Sequence, residues 1–365
     1  MKFKFGIPKT IDWILYLVPV ILTIAGIVVI YSLTYFNASQ VSIFYNQIIY
    51  AVIGVVLMIV FTFIDYRNFK GLAWYLYIIG IILLLGVLFF GKTLLGATRW
   101  LDLGVTQIQP AEFVKFFLII VLAKFFSDRQ EKVRWQDLLI ASLIFIVPAF
   151  LVMRQPDLGT SVVLFVITLA IILASRLKKI QLFFIGLIIV LGVCGSWFVL
   201  KDYQKERIYT FINPSADPYG AGYNITQSTI TIGSGGFLGR GLGHGPQSQL
   251  NFLPVAHTDF IFAGVAEATG FVGSAVLIIL LGLLVYRIIA VARISKDKFG
   301  MYFGCAVAAM ILFQSFVNIG MNLGMMPVTG IPLPFVSAGG TALITNFICI
   351  GILQSIYLRH KKITF

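Results

Sequence analysis

Residues 12–35 read DWILYLVPVILTIAGIVVIYSLTY, and the only charged side chain in this run is Asp12, at its beginning. About 20 consecutive apolar residues in a helix are enough to cross a hydrocarbon core about 30 Å thick. The run therefore predicts a transmembrane helix. No cleavage site of small residues follows it, and it is too long for a signal peptide, so we expect it to remain in the protein.

The composition of the whole chain is that of a membrane protein. Of its 365 residues, 59% are hydrophobic and only 11% are charged, against about a quarter charged in soluble domains. Long unbroken apolar runs exclude an outer-membrane barrel, whose strands alternate. All three cysteines fall within apolar runs, which indicates packed side chains rather than a disulfide framework or a zinc site. We predict an all-α polytopic membrane protein that forms a single transmembrane domain over residues 1–365.

Ten apolar runs predict ten transmembrane helices, near 12–35, 45–65, 72–91, 110–127, 137–153, 159–175, 180–200, 259–287, 299–325 and 340–358. An even number of spans places both termini on the same side. Of the 27 Lys and Arg residues, 19 fall on one face and 7 on the other, with Lys115 inside a helix. Since basic residues are enriched on the cytoplasmic side, both termini are predicted to be cytoplasmic. The net charge of +13 then reflects topology and anionic lipid headgroups, not nucleic acid.

The connection between the seventh and eighth predicted helices, residues 201–258, is much longer than the others. Loops of this length are usually functional or disordered. Aromatic and apolar residues occur throughout it, which argues against disorder. The charge count places it outside the cytoplasm, so we expect the protein to act on its substrate at the outer face of the membrane.

Ionisable residues at membrane depth call for a structural or functional explanation, because insertion of each one costs about 2.5–3.5 kcal/mol. Glu112 and Lys115 share one face of the fourth predicted helix. They form either a self-neutralising pair or the charged wall of a cavity open to the outside. Arg154 and Asp157, three residues apart across a proline, form either a turn clamp or part of the same polar site.

A third polar cluster, His257-Thr258-Asp259, leads into the eighth predicted helix. Thr258 as the N-cap would place Asp259 in the first turn, where the helix dipole stabilises a carboxylate. Asp259 also ends the long outer loop at the membrane surface, where a base acting on a lipid-linked substrate would stand. Glu267 lies about 12 Å further along the helix and is predicted to make a buried helix–helix contact.

Two segments cannot be regular helix. Residues 233–245 contain seven glycines, but no dinucleotide-binding or P-loop spacing fits them. Tight packing of an irregular re-entrant backbone explains them adequately. The proline-rich segment 326–340 is predicted to be a second re-entrant element lining the same cavity.

These motifs, in this order, resemble the SEDS family (shape, elongation, division and sporulation), which contains the RodA and FtsW branches. The most specific pieces are GATRWLDLG at 96–104, QPAEFVK at 109–115, HTDFIF at 257–262 and the run 327–340. The dipeptides Arg207-Ile208 and Gln227-Ser228 also match. The resemblance covers the whole chain, and the RWLDLG wording is more similar to the RodA branch than to the FtsW branch.

The resemblance implies a peptidoglycan glycosyltransferase in the bacterial cytoplasmic membrane that polymerises lipid II for cell-wall elongation and cell shape. It implies a class B penicillin-binding protein, the transpeptidase, and the cell-wall elongation machinery as partners. Asp259 matches the family's essential carboxylate, and Glu112 with Lys115 its intramembrane charged pair. Two positions depart from the pattern: Val255 stands where the family usually has Glu, and Ala268 where it often has a second Glu.

The chemistry that the resemblance implies is one inverting displacement of undecaprenyl pyrophosphate by a sugar hydroxyl. Such a step needs a carboxylate base, for which Asp259 is the candidate. It also needs positive charge for the leaving group, from Arg, Lys or a divalent cation; no motif identifies a resident cofactor. The candidate substrate-binding residues are Arg99, Glu112, Lys115, Arg154, Asp157, Arg207, Gln227, Ser228, His257, Thr258 and Ser337.

Three other functions are compatible with these features. A flippase or transporter of a lipid-linked precursor would use broken helices and buried charges, but the hydropathy shows no inverted repeat and the polar motifs cluster at the outer face. A division-type, FtsW-like polymerase would use the same chemistry. A catalytically silent scaffold is favoured slightly by Val255.

Overall fold

The computed structural model describes residues 11–34, 40–94, 97–102, 107–129, 133–214, 217, 220–250, 252–253 and 255–360. Gly96, Leu103 and Gly104 of the motif at 96–104 lie outside these residues. The described elements, in chain order, are α1 (Trp13–Thr34), α2 (Val41–Phe63), α3 (Arg67–Phe90), β1 (Lys92–Leu94), β2 (Ala97–Asp102), β3 (Gln107–Ile108), α4 (Pro110–Ser127), α5 (Trp135–Arg154), α6 (Leu158–Ala174), α7 (Lys179–Val199), α8 (Asp202–Ile212), α9 (Ala221–Ser234), α10 (Pro246–Gln249), α11 (Ile261–Ile294), α12 (Lys298–Asn322) and α13 (Gly340–Leu358).

Every predicted transmembrane segment coincides with a helix. Within the described residues, seven of these helices are long and apolar enough to cross a membrane, namely α1, α2, α3, α5, α11, α12 and α13. The helix α6 and the first part of α7 are apolar but shorter, and α4 carries three charged side chains. The prediction of a polytopic helical membrane protein is therefore confirmed.

The connection between α3 and α4 departs from the all-α prediction. Strands β1, β2 and β3 form an antiparallel sheet in that order. Neighbouring strands satisfy each other's backbone hydrogen bonds over this short stretch. Hydropathy did not reveal them because the strands are only two to six residues long. Strand β2 carries Arg99, one of the candidate substrate-binding residues.

The interior of the bundle is formed mainly by α4, α12 and α13. Most side chains of α4 and α13 are buried, and α13 packs against α2 while α12 packs against α11, α6 and α4. In contrast, α2 and α3 expose much of their apolar surface. An apolar outer surface of this kind is suited to lipid contact, because lipid tails are as apolar as the side chains themselves.

The glycine-rich segment 233–245 packs around a kink in α11. Gly270 has φ +67° and interrupts the helical backbone, and the freed N–H groups of the next two residues donate to main-chain carbonyls of the segment. A side chain at Gly239 would place its Cβ 2.3 Å from the Ala268 carbonyl oxygen. The prediction that these glycines permit tight packing of an irregular backbone is confirmed at Gly239, whereas a Cβ at Gly233, Gly236 or Gly243 would meet nothing within 4 Å.

Candidate active site

Two irregular segments meet at one end of the bundle. The hydroxyl of Ser337 accepts a hydrogen bond from Leu333 N (2.8 Å) and donates to Thr258 O (2.7 Å). The main-chain N–H of Ala338 donates to His257 O at 2.9 Å. The proline-rich segment is therefore bound directly to the turn that contains Asp259, as expected for two elements that line the same site.

Asp259 lies before α11 rather than in its first turn. The helix begins at Ile261, with Phe260 at the N-cap position and no side-chain cap. The prediction that Thr258 caps the helix is wrong, because its N–H (3.1 Å) and its hydroxyl (3.3 Å) both donate to Val255 O in the preceding turn. Asp259 consequently belongs to the connecting turn.

The carboxylate of Asp259 is partly buried and points toward Gly330. Its Oδ2 lies 3.6 Å from the position that a Cβ of Gly330 would occupy, and Gly330 has φ +72°. That backbone conformation favours glycine, and the missing side chain leaves space beside the carboxylate. No side chain among the described residues forms a hydrogen bond or an ion pair with the Asp259 carboxylate.

Three charged residues from other elements act on Asp259. Burial raises the pKa of Asp259 to about 6, while the positive charges of Arg207 and Arg99 lower it and the negative charge of Asp157 raises it further. Burial also lowers the pKa of His257, which keeps this imidazole neutral at pH 7. A carboxyl group with a pKa near 6 is ionised at pH 7 and is a stronger base than an ordinary aspartate.

The two arginines are held mainly by backbone carbonyls rather than by the Asp259 carboxylate. Arg99 donates from Nε to Gln155 O (3.3 Å) and from Nη2 to Pro156 O, and its Nη1 lies 3.9 Å from Asp157 Oδ1. Arg207 donates from Nη1 to Val328 O at 3.2 Å. These bonds use some of the five donors of each guanidinium, which leaves capacity for an anionic ligand.

Asp157 organises the start of α6. As the N-cap it accepts from Thr160 N (3.0 Å) and Thr160 Oγ1 (2.9 Å), and it also accepts from Gln109 Nε2 (3.3 Å). The prediction of an Arg154–Asp157 turn clamp is wrong. Arg154 is exposed and stacks on the ring of Phe150 at 4.9 Å, because the last turn of α5 directs it outward. Arg99, from a distant part of the chain, pairs with Asp157 instead.

Glu112 and Lys115 form an ion pair inside the bundle. Lys115 Nζ lies 2.7 Å from Glu112 Oε2, and the side chains are 3% and 5% exposed, respectively. No described contact joins this pair to Asp259. The geometry is that of the self-neutralising alternative, and a role in substrate binding stays a prediction.

Two further candidate substrate-binding residues, Gln227 and Ser228, lie on α9, and Glu267 lies on α11. Ser228 is fully buried and donates to Asn322 O at 2.9 Å, so it links two helices. Gln227 has a buried Oε1 without a hydrogen-bond partner among the described residues. Glu267 is buried and accepts from Gln247 N of the short helix α10 at 2.9 Å.

Several residues of this region were not among the predicted site residues. Asn318 and Asn322 bind the main chain at Asp259, Gln47 binds Ser337 O, and Gln109 binds Asp157. The two asparagines could have been noticed, because polar side chains four residues apart in an apolar helix share one face. The glutamines give no comparable signal, since each contacts a residue far away in the chain.

The fold and the site together define a polytopic membrane protein with an aspartate–arginine site at one end of its helix bundle. The chain belongs to the family of cell cycle proteins that comprises FtsW, RodA and SpoVE, whose family model matches residues 12–362. The resemblance to the SEDS family is thereby confirmed.

Relatives of this chain are known from sequence and from structure. It is 41% identical over 313 residues to the peptidoglycan glycosyltransferase MrdB of Escherichia coli (strain K12), covering 85% of this chain and 84% of that protein. One solved structure that matches is a chain of a peptidoglycan synthase complex, described for the structural coordination of polymerization and crosslinking. The TM-score is 0.82 and the identity 30%, over 96% of this chain and 99% of that one. The rod shape determining protein RodA of Thermus thermophilus matches with a TM-score of 0.72 and 27% identity, over 97% and 99% of the two chains.

Proposed function

We propose that this protein is a peptidoglycan glycosyltransferase that polymerises lipid II at the outer face of the bacterial cytoplasmic membrane, for cell-wall elongation and cell shape. The observation that carries the proposal is the carboxylate of Asp259, which is near enough to Arg207 and Arg99 for their charges to lower its pKa, yet is paired with no side chain among the described residues. Its relative MrdB is named for the same activity, which favours polymerisation over lipid transport or a silent scaffold.

The proposed topology has ten spans in one transmembrane domain, with both termini in the cytoplasm and residues 201–258 outside. The coincidence of all ten predicted segments with helices supports it, as does the asymmetry of the basic residues. Arg240 is exposed in the outer segment, so Arg240→Cys in a background without the native cysteines provides a test. An impermeant thiol reagent should label it in intact cells, and labelling only after lysis would reverse the orientation.

Asp259 acts as the general base in this mechanism. It accepts the proton of the attacking sugar hydroxyl, whose oxygen forms a bond to the anomeric carbon of the donor. The bond from that carbon to the phosphate oxygen breaks, and undecaprenyl pyrophosphate departs with the electron pair. One displacement inverts the anomeric configuration. This chain has Val255 where the family usually has Glu, so the proposal assigns the proton transfer to Asp259 alone.

Arg207 and Arg99 stabilise the negative charge of the departing pyrophosphate. Guanidinium groups bind phosphate oxygens through parallel hydrogen bonds, and both arginines lie near enough to Asp259 to influence its charge. No three His, Cys, Asp or Glu side chains in the described parts of the chain come together as metal ligands. The protein's own cations therefore carry this role in the proposal, and a divalent cation would add to them through the substrate.

The proposed partner is a class B penicillin-binding protein that crosslinks the new strands. A structural relative of this chain belongs to a peptidoglycan synthase complex, which supports a working complex of polymerase and transpeptidase. The apolar outer faces of the bundle are suited to packing against lipid or against a transmembrane helix of such a partner.

A polymerisation assay with purified protein tests the proposal. The wild-type protein, reconstituted with its transpeptidase partner and given lipid II, should form glycan strands that separate on a gel. Asp259→Asn keeps the shape of the side chain but cannot accept a proton at neutral pH. We expect this variant to lose about 10²–10⁴-fold in rate, and to fold and bind the partner normally.

Asp297→Asn is the matched control. Asp297 also precedes a helix, where it caps α12 by accepting from Gly300 N at 2.8 Å, and asparagine preserves such a cap. This variant should polymerise at the wild-type rate. Near-normal glycan from Asp259→Asn would refute the role of Asp259. A wild-type protein that makes no glycan but moves labelled lipid II across vesicles would establish the transporter alternative.

A further inference from the structure

Two asparagines lie in the last two turns of α12, next to the turn that contains Asp259. Asn318 and Asn322 are both fully buried. They are four residues apart and therefore share one helix face. A buried amide that lacks partners costs about 1–3 kcal/mol, so such residues are retained where their hydrogen bonds are made. Here both side chains form hydrogen bonds with the main chain at Asp259.

The amide donors of both asparagines converge on one carbonyl. Asn318 Nδ2 and Asn322 Nδ2 each donate to Asp259 O at 3.0 Å. A carbonyl oxygen has two lone pairs, so these two bonds saturate the main-chain acceptor at Asp259. Asn318 Nδ2 also donates to Ile331 O at 2.8 Å, which attaches the proline-rich segment to the same point.

Asn322 connects two further helices to this point. Its Oδ1 accepts from Ala263 N at 3.1 Å, in the first turn of α11. Its main-chain carbonyl accepts from Ser228 Oγ at 2.9 Å, on α9. The Asn318–Asn322 pair thus joins the turn of Asp259, the start of α11, the helix α9 and the proline-rich segment.

We propose that Asn318 and Asn322 are positioning residues for the Asp259 base, an inference that rests on the proposed function. The charged groups that face Asp259 come from three other elements: Arg99 from β2, Asp157 from the turn before α6, and Arg207 from α8. The distance from the carboxylate to each of them depends on where the backbone at Asp259 is held, and the asparagines hold it. A misplacement of about 1 Å can cost about 10²-fold in rate.

The test compares Asn318→Leu and Asn322→Leu with Gln314→Leu. Leucine has the same number and branching of side-chain heavy atoms as asparagine but makes no hydrogen bond. Gln314 lies one turn before Asn318 on the same face, is also buried, and its Oε1 has no partner among the described residues. Gln314→Leu should therefore behave as the wild type does. Each asparagine variant should lose about 10²-fold in kcat for glycan polymerisation, with KM for lipid II changed less than about twofold.

The pH profile separates positioning from a general structural role. Release of the turn would expose the Asp259 carboxylate to water and lower its pKa, so the acid limb of kcat/KM should move to lower pH in the asparagine variants. A structural role alone would reduce the amount of folded protein and leave the profile of the folded fraction unchanged. Where a leucine variant does not fold, Asn318→Ser and Asn322→Ser replace it, since a serine hydroxyl is too short to reach Asp259 O.

The outcomes distinguish this inference from the proposed function. Wild-type kcat and an unchanged acid limb in the asparagine variants would overturn the positioning role while leaving glycan polymerisation by the wild type intact. An equal loss in Gln314→Leu would also overturn it. A wild-type protein that makes no glycan from lipid II would overturn the proposed function, and the positioning role with it.

Discussion

Glu112 and Asp259 are carboxylates of the same bundle, but their surroundings differ: Glu112 is buried within α4, whereas Asp259 is partly buried in the turn before α11. Glu112 is paired at 2.7 Å with Lys115, on its own helix. Asp259 lies near two arginines that are bonded to main-chain carbonyls instead. The first arrangement neutralises a charge, whereas the second keeps a base ionisable and its oxygens available. The difference separates a charge that stabilises the bundle from one that can take part in chemistry.

The largest expected effect concerns the Glu112–Lys115 pair. Either single substitution to alanine leaves a buried charge without its partner, which costs about 3–5 kcal/mol of stability. The double variant should lose much less than the two single losses combined. Unfolding in detergent measures all three, with Lys124→Ala in the last turn of the same helix as the control. Additive losses would show that the two side chains do not interact.

Removal of Arg207 should affect the reaction rather than the fold. Loss of one donor to developing negative charge typically costs about 10²–10³-fold in rate, so Arg207→Gln should slow polymerisation by that amount. Arg240→Gln is the matched control, because Arg240 also donates to a backbone carbonyl (Ser234 O, 2.7 Å) in the same outer segment. Equal rates for the two variants would argue that Arg207 does not contact the pyrophosphate.

The pH dependence of the wild type should reflect the raised pKa of Asp259. Protonated Asp259 cannot accept a proton, so kcat/KM should fall as the pH decreases through about 6. Asp157→Asn removes a negative charge that raises this pKa, and asparagine still caps α6. Its acid limb should therefore move to lower pH. A limb that stays in place, or moves to higher pH, would contradict the electrostatic role assigned to Asp157.

The smallest effect is expected at Arg154. Its contact with the Phe150 ring is exposed, and such cation–π contacts are worth about 0.5–1 kcal/mol. Arg154→Gln should lose no more than this in unfolding experiments and should polymerise glycan at the wild-type rate. A large loss of rate would instead show that Arg154 serves the substrate, as the sequence analysis allowed.

Local sequence was sufficient to predict the ten long helices, but it predicted neither the shorter helices α8, α9 and α10 nor the sheet. A run such as 12–35 predicts a membrane helix from its own residues, because its backbone bonds close within the run and its side chains face lipid or protein. Gly270, which kinks α11, was not predicted. A glycine within an apolar run gives the same hydropathy whether its φ is negative or +67°.

The sequence alone determined that this is a helical membrane protein, and it singled out Asp259 as the candidate base, since apolar composition and charge placement act residue by residue along the chain. Only the tertiary structure decided which groups surround that base. Arg99, not Arg154, pairs with Asp157, and two asparagines of α12 hold the turn of Asp259. These contacts join residues about 60 positions apart. Such contacts form only when the backbone between the two residues follows the right path, and the residues next to each of them in the sequence do not encode that path.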